Sequence, residues 1–371
     1  MNADICSELI NTLRLSEHSP QRVVFADGHD PRVVEAARLA LEQNLAAPIL
    51  IGAPDEMASA ASSSGVDLEG IELHDPATSE RFDEYAVEFA EQRNIPLRTA
   101  RCMSSVPFFY AAMMLCRGEA DAMVVGANCS SQEALMATDL AVGAREDVPT
   151  PSSFLVLELP VWSGSEGSLL ALADCAVNPQ PNANQLADIA LETADSVEDV
   201  LGWQARVALL SHSTHSHPLE PRAEHVCRAV DIVRRRAPGI RVDGELQLDA
   251  ALNAAVARQK LSQAGGVAGR ANTLIFPDLN SGNIAAKMAQ QLGGATVCGP
   301  VLQGFEKPVG LLSRASSIQD VLGTLALTAG YALATDSPRA RSFSNAATGA
   351  DAAANAASWC FDTNSVVHPR F

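Results

Sequence analysis

Aromatic residues make up only 5% of this 371-residue chain. No window approaches about 20 uninterrupted apolar residues, the length a membrane-spanning helix needs, so the sequence predicts no span. The opening MNADICSELINTLRL carries acids and lacks a basic segment followed by an apolar one, so it does not read as a secretory leader. Cysteines stand alone at positions 6, 102, 116, 129, 175, 227, 298 and 360, with no C-x-x-C pair. That spacing argues against a zinc knuckle or disulfide framework and points to the reducing cytoplasm. Basic charge is scarce too: 26 Lys and Arg face 44 Asp and Glu, a net −18. Nucleic acid and anionic membrane are therefore poor partners, since both need a positive face. A small anion remains compatible, provided a few arginines and backbone N–H groups gather locally.

What is present is a globular composition, 47% apolar and 19% charged, long enough for two domains. Short β-rich runs alternate with amphipathic stretches, predicting an α/β fold with mostly parallel sheet. RVVFADG (22–28) reads as strand and turn, Asp30 as an N-cap, Pro31 as the first helical residue, and APILIG (47–52) as the next strand. VPTPSS (148–153) reads as a hinge and the Ala/Asn/Ser-rich stretch from 335 as a loosely attached tail.

Three later segments repeat an order of apolar strand, small polar loop and helix: 121–142, 206–236 and 272–292. In open α/β sheets ligands collect at such loops. The second holds LLSHSTHSHP, with His212, His215 and His217 within six positions. Zinc accepts that spacing, but only Glu220 or Glu224 offers a nearby fourth ligand. Ser211, Ser213, Thr214 and Ser216 give the stronger signal, as hydroxyl donors for phosphate-type oxygens.

ADCAVNPQPNANQLADIALETAD (173–195), DGELQLDAAL (243–252), FPDLNSGN (276–283), GPVLQGFEKPV (299–309) and LLSRASSIQD (311–320) occur in an order and spacing that resemble the phosphate acetyltransferase family. VVFADGHDPRVVEAA and ADAMVVGA (120–127) fit as well, so the resemblance covers roughly residues 20–333. It implies two α/β domains with mostly parallel sheets, residues 1–150 plus 315–371 and residues 151–314, with the active site in the cleft between them. It also implies reversible acetyl transfer between coenzyme A and phosphate, no permanently bound cofactor or metal, and a homodimer.

By the same resemblance Asp320 is the general base for the CoA thiol, Ser313 the hydroxyl beside the reacting carbonyl, and Arg314 the cation for substrate phosphate. Ser213, Thr214, His215 and Ser216 would line the acyl phosphate pocket, with Asn280, Ser281, Gly282 and Asn283 at a helix start. The histidines then become substitutions in a phosphate loop. Spacing alone gives Asp320 a plainer role: Ser317 as N-cap with Asp320 at the third helical position is a capping box. Gln247 and Asp249 read as supports of the loops. Met136 occupies a position where relatives place a substrate-binding arginine, and Arg93, Arg98 and Arg101 are the candidates to replace it. These departures keep two further readings in view, an acyltransferase of altered acyl specificity and a non-catalytic acyl-CoA-binding regulatory module. A metal-dependent hydrolase is a more distant one.

Overall fold

The computed structural model describes residues 20–215, 221–263 and 265–336. It begins as the local sequence dictates. β1 (Gln21–Phe25) ends in a turn, and the Asp30 carboxylate accepts the Arg32 N–H to cap α1 (Pro31–Glu42), with Pro31 in the first turn. Pro31 has no N–H to leave unpaired there. The order continues through β2 (Ala46–Ile51), α2 (Pro54–Ser64), β3 (Glu72–His74), α3 (Phe82–Arg93), α4 (Leu97–Ser104) and α5 (Pro107–Cys116). Then come β4 (Ala122–Val125), α6 (Ser131–Ala137) with a π-helical continuation (Thr138–Val142), β5 (Ser152–Glu158), β6 (Leu169–Ala173) and α7 (Ala183–Leu201). β7 (Arg206–Leu210), α8 (Pro221–Arg236), β8 (Arg241–Leu246), α9 (Leu248–Leu252) and α10 (Ala254–Lys260) follow. The described chain closes with β9 (Thr273–Ile275), α11 (Leu279–Gly293), β10 (Thr296–Gln303), β11 (Val309–Leu311) and α12 (Ile318–Asp336).

The eleven strands of the described residues form one sheet, in the order β3-β2-β1-β4-β11-β10-β5-β6-β9-β7-β8. β1 to β4 and β11 are mutually parallel. β10 and β5 are laid antiparallel in the middle, and β6, β9, β7 and β8 are again mutually parallel. The two antiparallel strands reverse the direction, so the two parallel groups run opposite ways. α11 follows β9 and turns back along the sheet for about 22 Å at 1.5 Å per residue, which lets it touch loops of the first group.

The strands β4, β6 and β9 are buried along their whole length, as expected where helices cover both faces. One apolar cluster runs from Val23 and Phe25 through Val156 and Ala187 to Ile275 and Leu325. The 148–153 stretch, expected as a hinge, enters β5 buried. Thr150, Ser152 and Ser153 are fully covered, and their hydroxyls bond Asp188, Gln303 and Asp174 respectively. Those partners explain how a polar run lies inside the protein. Among the described residues no helix is long and apolar enough to cross a membrane.

Where α7 meets α12, a small recess is lined by Glu192, Asp195, Asp199 and Tyr331. Burial first, then repulsion from Glu192, Asp199 and Glu198, pushes the Asp195 carboxyl from 3.8 up to about 7. The folded value is the higher one, so this group's stabilising contribution is complete below about pH 4 and is lost as pH rises through about 7. We expect this group to lower the thermal midpoint as pH rises from about 4 to about 7 and to add nothing above that, read by calorimetry, and Asp195→Asn to flatten that fall. An equally steep fall in Asp195→Asn would contradict the assignment.

Candidate functional site

Three loops of the first strand group are tied into one cluster. Buried Asp27, after β1, accepts the N–H groups of Gly126 (2.9 Å), Ala127 (3.0 Å) and Asn128 (3.2 Å), which follow β4. Burial pushes its carboxyl up, and those three N–H groups pull the other way. Asn128 Nδ2 donates to Asp30. Arg32 pairs with Asp30 and reaches the third loop, donating Nη1 to the carbonyls of Arg314 (2.9 Å) and Ser316 (2.8 Å). The Ser313–Ser316 turn is thus held from outside by one guanidinium. Arg32→Ala should free it and lower kcat/KM by up to about 100-fold, the effect of ångström-scale misplacement. Steady-state rates read this, and a loss below threefold would mean that the turn holds itself.

Within that turn the Ser313 hydroxyl oxygen accepts Lys287 Nζ (3.2 Å) and Ala315 N–H (3.3 Å). Both lone pairs are engaged, so its proton points to an acceptor elsewhere. Arg314 is exposed and makes no ion pair among the described residues. Its charge is felt at Glu133, whose carboxyl is held below the ordinary range by the Ser130 hydroxyl and N–H, then by Arg314. That sets the guanidinium beside the start of α6.

Asp320, 5% exposed, sits as the local pattern predicts. The Ser317 N–H (2.8 Å) and hydroxyl (2.9 Å) donate to its Oδ2, and its own N–H returns to Ser317 Oγ, completing a capping box on α12. Oδ2 also accepts Gln290 Nε2 (3.1 Å), and Oδ1 accepts the Val297 N–H of β10 (2.9 Å). Three donors thus crowd Oδ2, while Oδ1 accepts one and keeps a lone pair open. A thiol reaches Oδ2 only if one of them, most simply the Gln290 amide, gives way.

The sequence reading took only the first turn of α11 (Asn280 to Asn283) into the site and left out Lys287 and Gln290 further along the same helix. Asn283, Lys287 and Gln290, spaced i, i+4, i+7, share one face. They bond the Cys175 carbonyl, Ser313 and Asp320 in turn. The i, i+4, i+7 polar stripe was the available signal. At the start of α11, Asp278 caps Ser281 N–H, and Gly282 lies where a Cβ would fall 2.3 Å from the Asp174 carbonyl. The cap position therefore already holds a carboxylate. Asn280 is exposed beside it.

Ser213 and Thr214 turn toward the next strand. Their hydroxyls donate to Glu245 (3.1 Å) and Gln247 (3.3 Å), and His215 Nε2 lies 3.0 Å from Asp243. Gln247 and Asp249 are both held by Lys260 Nζ, as loop supports. Among the described residues these side chains bond Glu245, Gln247 and Asp243 rather than Ser313 or Asp320. Ser216, His217 and Glu220 lie outside the described residues, and so does the stretch from 337. Among those described, no three His, Cys, Asp or Glu side chains converge as a metal set.

Of the three arginine candidates, Arg98 is exposed on α4. Arg101 pairs with Asp83, and Arg93 donates to the Leu140 and Asp139 carbonyls of the π-helical turn. Met136 packs against the apolar cluster under α5. Burial, then Asp27 and Glu133, pushes the Cys129 thiol up to about 12, and Cys175 is driven well above its ordinary range by burial. Neither thiol is a ready nucleophile.

Residues 5–329 match the family described as phosphate acetyl/butaryl transferase. The chain belongs to this family. A phosphate acetyltransferase of Thermoanaerobacterium thermosaccharolyticum is 38% identical over 317 residues, covering 85% of this chain and 96% of the relative. That of Treponema pallidum is 39% identical over 316 residues, 83% and 94% of the two chains. The crystal structure of a phosphotransacetylase from Streptococcus pyogenes superposes with a TM-score of 0.78 at 32% identity, covering 90% of this chain and 98% of that one. As a family member, the chain carries LLSRASSIQD at the junction of β11 and α12, the element whose cap and turn were described above.

Proposed function

We propose that this protein is an acyltransferase that moves an acetyl group reversibly between coenzyme A and inorganic phosphate. The near full-length kinship with phosphate acetyltransferases supports this reading. The single structural observation that carries it is the shared grip of α11 on Ser313 and Asp320, through Lys287 (3.2 Å) and Gln290 (3.1 Å). In the direction of thioester formation, Asp320 takes the CoA thiol proton as Gln290 swings off Oδ2. The thiolate attacks the acetyl carbon of acetyl phosphate, and the Ser313 hydroxyl donates to the oxyanion of the tetrahedral intermediate. Arg314 holds the phosphate, which departs as the carbonyl re-forms. Ser213, Thr214, His215 and Ser216, with Asn280, Ser281, Gly282 and Asn283, complete the substrate pocket in this reading, and the chain itself needs no resident metal or cofactor.

We further place the reaction in the cytoplasm, in keeping with the scattered cysteines, and in a homodimer. Ile284, Met288 and Leu292 are 58%, 56% and 80% exposed along one side of α11, an apolar stripe suited to a second copy. In this reading the chain divides into two lobes, 1–150 plus 315–371 and 151–314; β11, at the end of the second, pairs with β4 of the first. Two observations favour the alternative of a CoA-binding regulatory module: Met136 packs half-buried on an apolar cluster, and Asp320 Oδ2 already accepts three donors. Purified protein given acetyl phosphate and CoA separates the readings. Thioester absorbance that grows equally with and without chelator supports the transferase. CoA binding without turnover supports the module, and chelator-sensitive turnover would contradict the metal-free reaction.

A further inference from the structure

Lys287 is exposed on α11 and makes no ion pair among the described residues, in a chain whose acids outnumber its bases 44 to 26. Its Nζ donates to Ser313 Oγ at 3.2 Å and, at 3.4 Å, to Gln290 Oε1 on its own helix. An ammonium has three protons, so one remains for another acceptor. Of the other cations named for this region, Arg32 is engaged on Asp30 and the turn carbonyls, Arg93 on the π-helical carbonyls and Arg101 on Asp83, while Arg98 is exposed on α4. Met136 contributes no charge. Two cations, Lys287 and Arg314, stand directly beside Ser313, one on α11 and one on the turn that Arg32 anchors.

We propose that Lys287 is a substrate-contacting residue for the phosphoryl group, sharing the phosphate dianion with Arg314 while its bond to Ser313 Oγ keeps that hydroxyl a donor. This deepens the transferase reading and rests on it for the identity of the reaction, but not for the binding of phosphate. The chemistry fits. A compact ammonium suits a dianion that must be held and then released, and a lysine that occupies both lone-pair sites of a serine together with Ala315 N–H leaves the serine only its proton to offer.

Lys287→Ala, Lys287→Arg and the native protein are compared in two ways. In steady-state assays, Lys287→Ala is expected to raise KM for acetyl phosphate and phosphate at least about tenfold, the usual effect of one lost charge-assisted hydrogen bond. KM for CoA should stay within about twofold, and Lys287→Arg should recover most of the loss, a selectivity that a merely structural lysine would not produce. Titration calorimetry with inorganic phosphate alone reads the same contact without turnover. Weaker phosphate binding in Lys287→Ala supports the inference even if the native protein proves inactive, in which case only the transferase reading fails. Phosphate binding equal in Lys287→Ala and native protein, or absent from both, overturns it.

Discussion

Asp320→Asn is expected to lower kcat at least about 100-fold, the ordinary worth of a positioned general base. The substitution keeps size and removes charge, but it also disturbs the cap. An amide offers one oxygen where the carboxylate offers two. If that oxygen faces the Ser317 donors, its NH2 meets the Val297 N–H, which now bonds Oδ1 at 2.9 Å. A buried N–H left unpaired costs about 1–3 kcal/mol, so some loss of stability accompanies the loss of rate. Ser317→Ala separates the two effects. It removes the capping hydroxyl, worth about 1 kcal/mol, and leaves the carboxylate in place. Turnover per folded molecule should then stay within a few-fold of native. If Ser317→Ala slows the reaction as much as Asp320→Asn does, the carboxylate matters as a cap and the base lies elsewhere.

The largest expected effect on stability belongs to Asp174. It is 3% exposed, at the end of β6, and gathers an entire turn around itself. Its Oδ1 accepts the Ser153 hydroxyl and the N–H groups of Ala176 (3.0 Å) and Val177 (3.2 Å). Its Oδ2 accepts the Asn178 N–H (2.7 Å) and side-chain amide (2.6 Å). Asp174→Ala leaves several buried or half-buried donors without an acceptor, at about 1–3 kcal/mol each where water does not reach them. We expect a loss of at least about 4 kcal/mol in denaturant unfolding. Because Asn283 hangs on the adjacent Cys175 carbonyl at 3.2 Å, loosening of α11 should follow, visible as faster amide exchange in its first turns. A loss below about 1 kcal/mol would mean that water replaces the carboxylate easily.

Local signals were legible in the sequence because their partners lie a few residues away. Asp30 and Pro31 marked a helix start, and Ser317 with Asp320 marked a capping box; the structure has both. The three strand–loop–helix segments appear as β4–α6, β7–α8 and β9–α11. Contacts that depend on the path of the whole chain were not legible. Lys287 and Ser313 are 26 residues apart, and they meet only because two antiparallel strands in mid-sheet reverse the direction and send α11 back past the β11 turn. The bonds from Arg32 to the 314 and 316 carbonyls span more than 280 residues. The 148–153 run looked like a hinge because proline and serine favour loops, yet its hydroxyls find buried partners on other elements. In the histidine loop, side-chain types alone left metal and phosphate both open, and the nearest described partner of His215 proves to be Asp243.

A crystal structure of the protein with coenzyme A tests the central claim most directly. The account predicts the thiol sulfur within about 3.5 Å of Asp320 Oδ2, the Gln290 amide turned aside, and Arg314 and Ser313 facing the same crevice. A thiol bound far from that carboxylate, with all four of its present donors still in place, would contradict it.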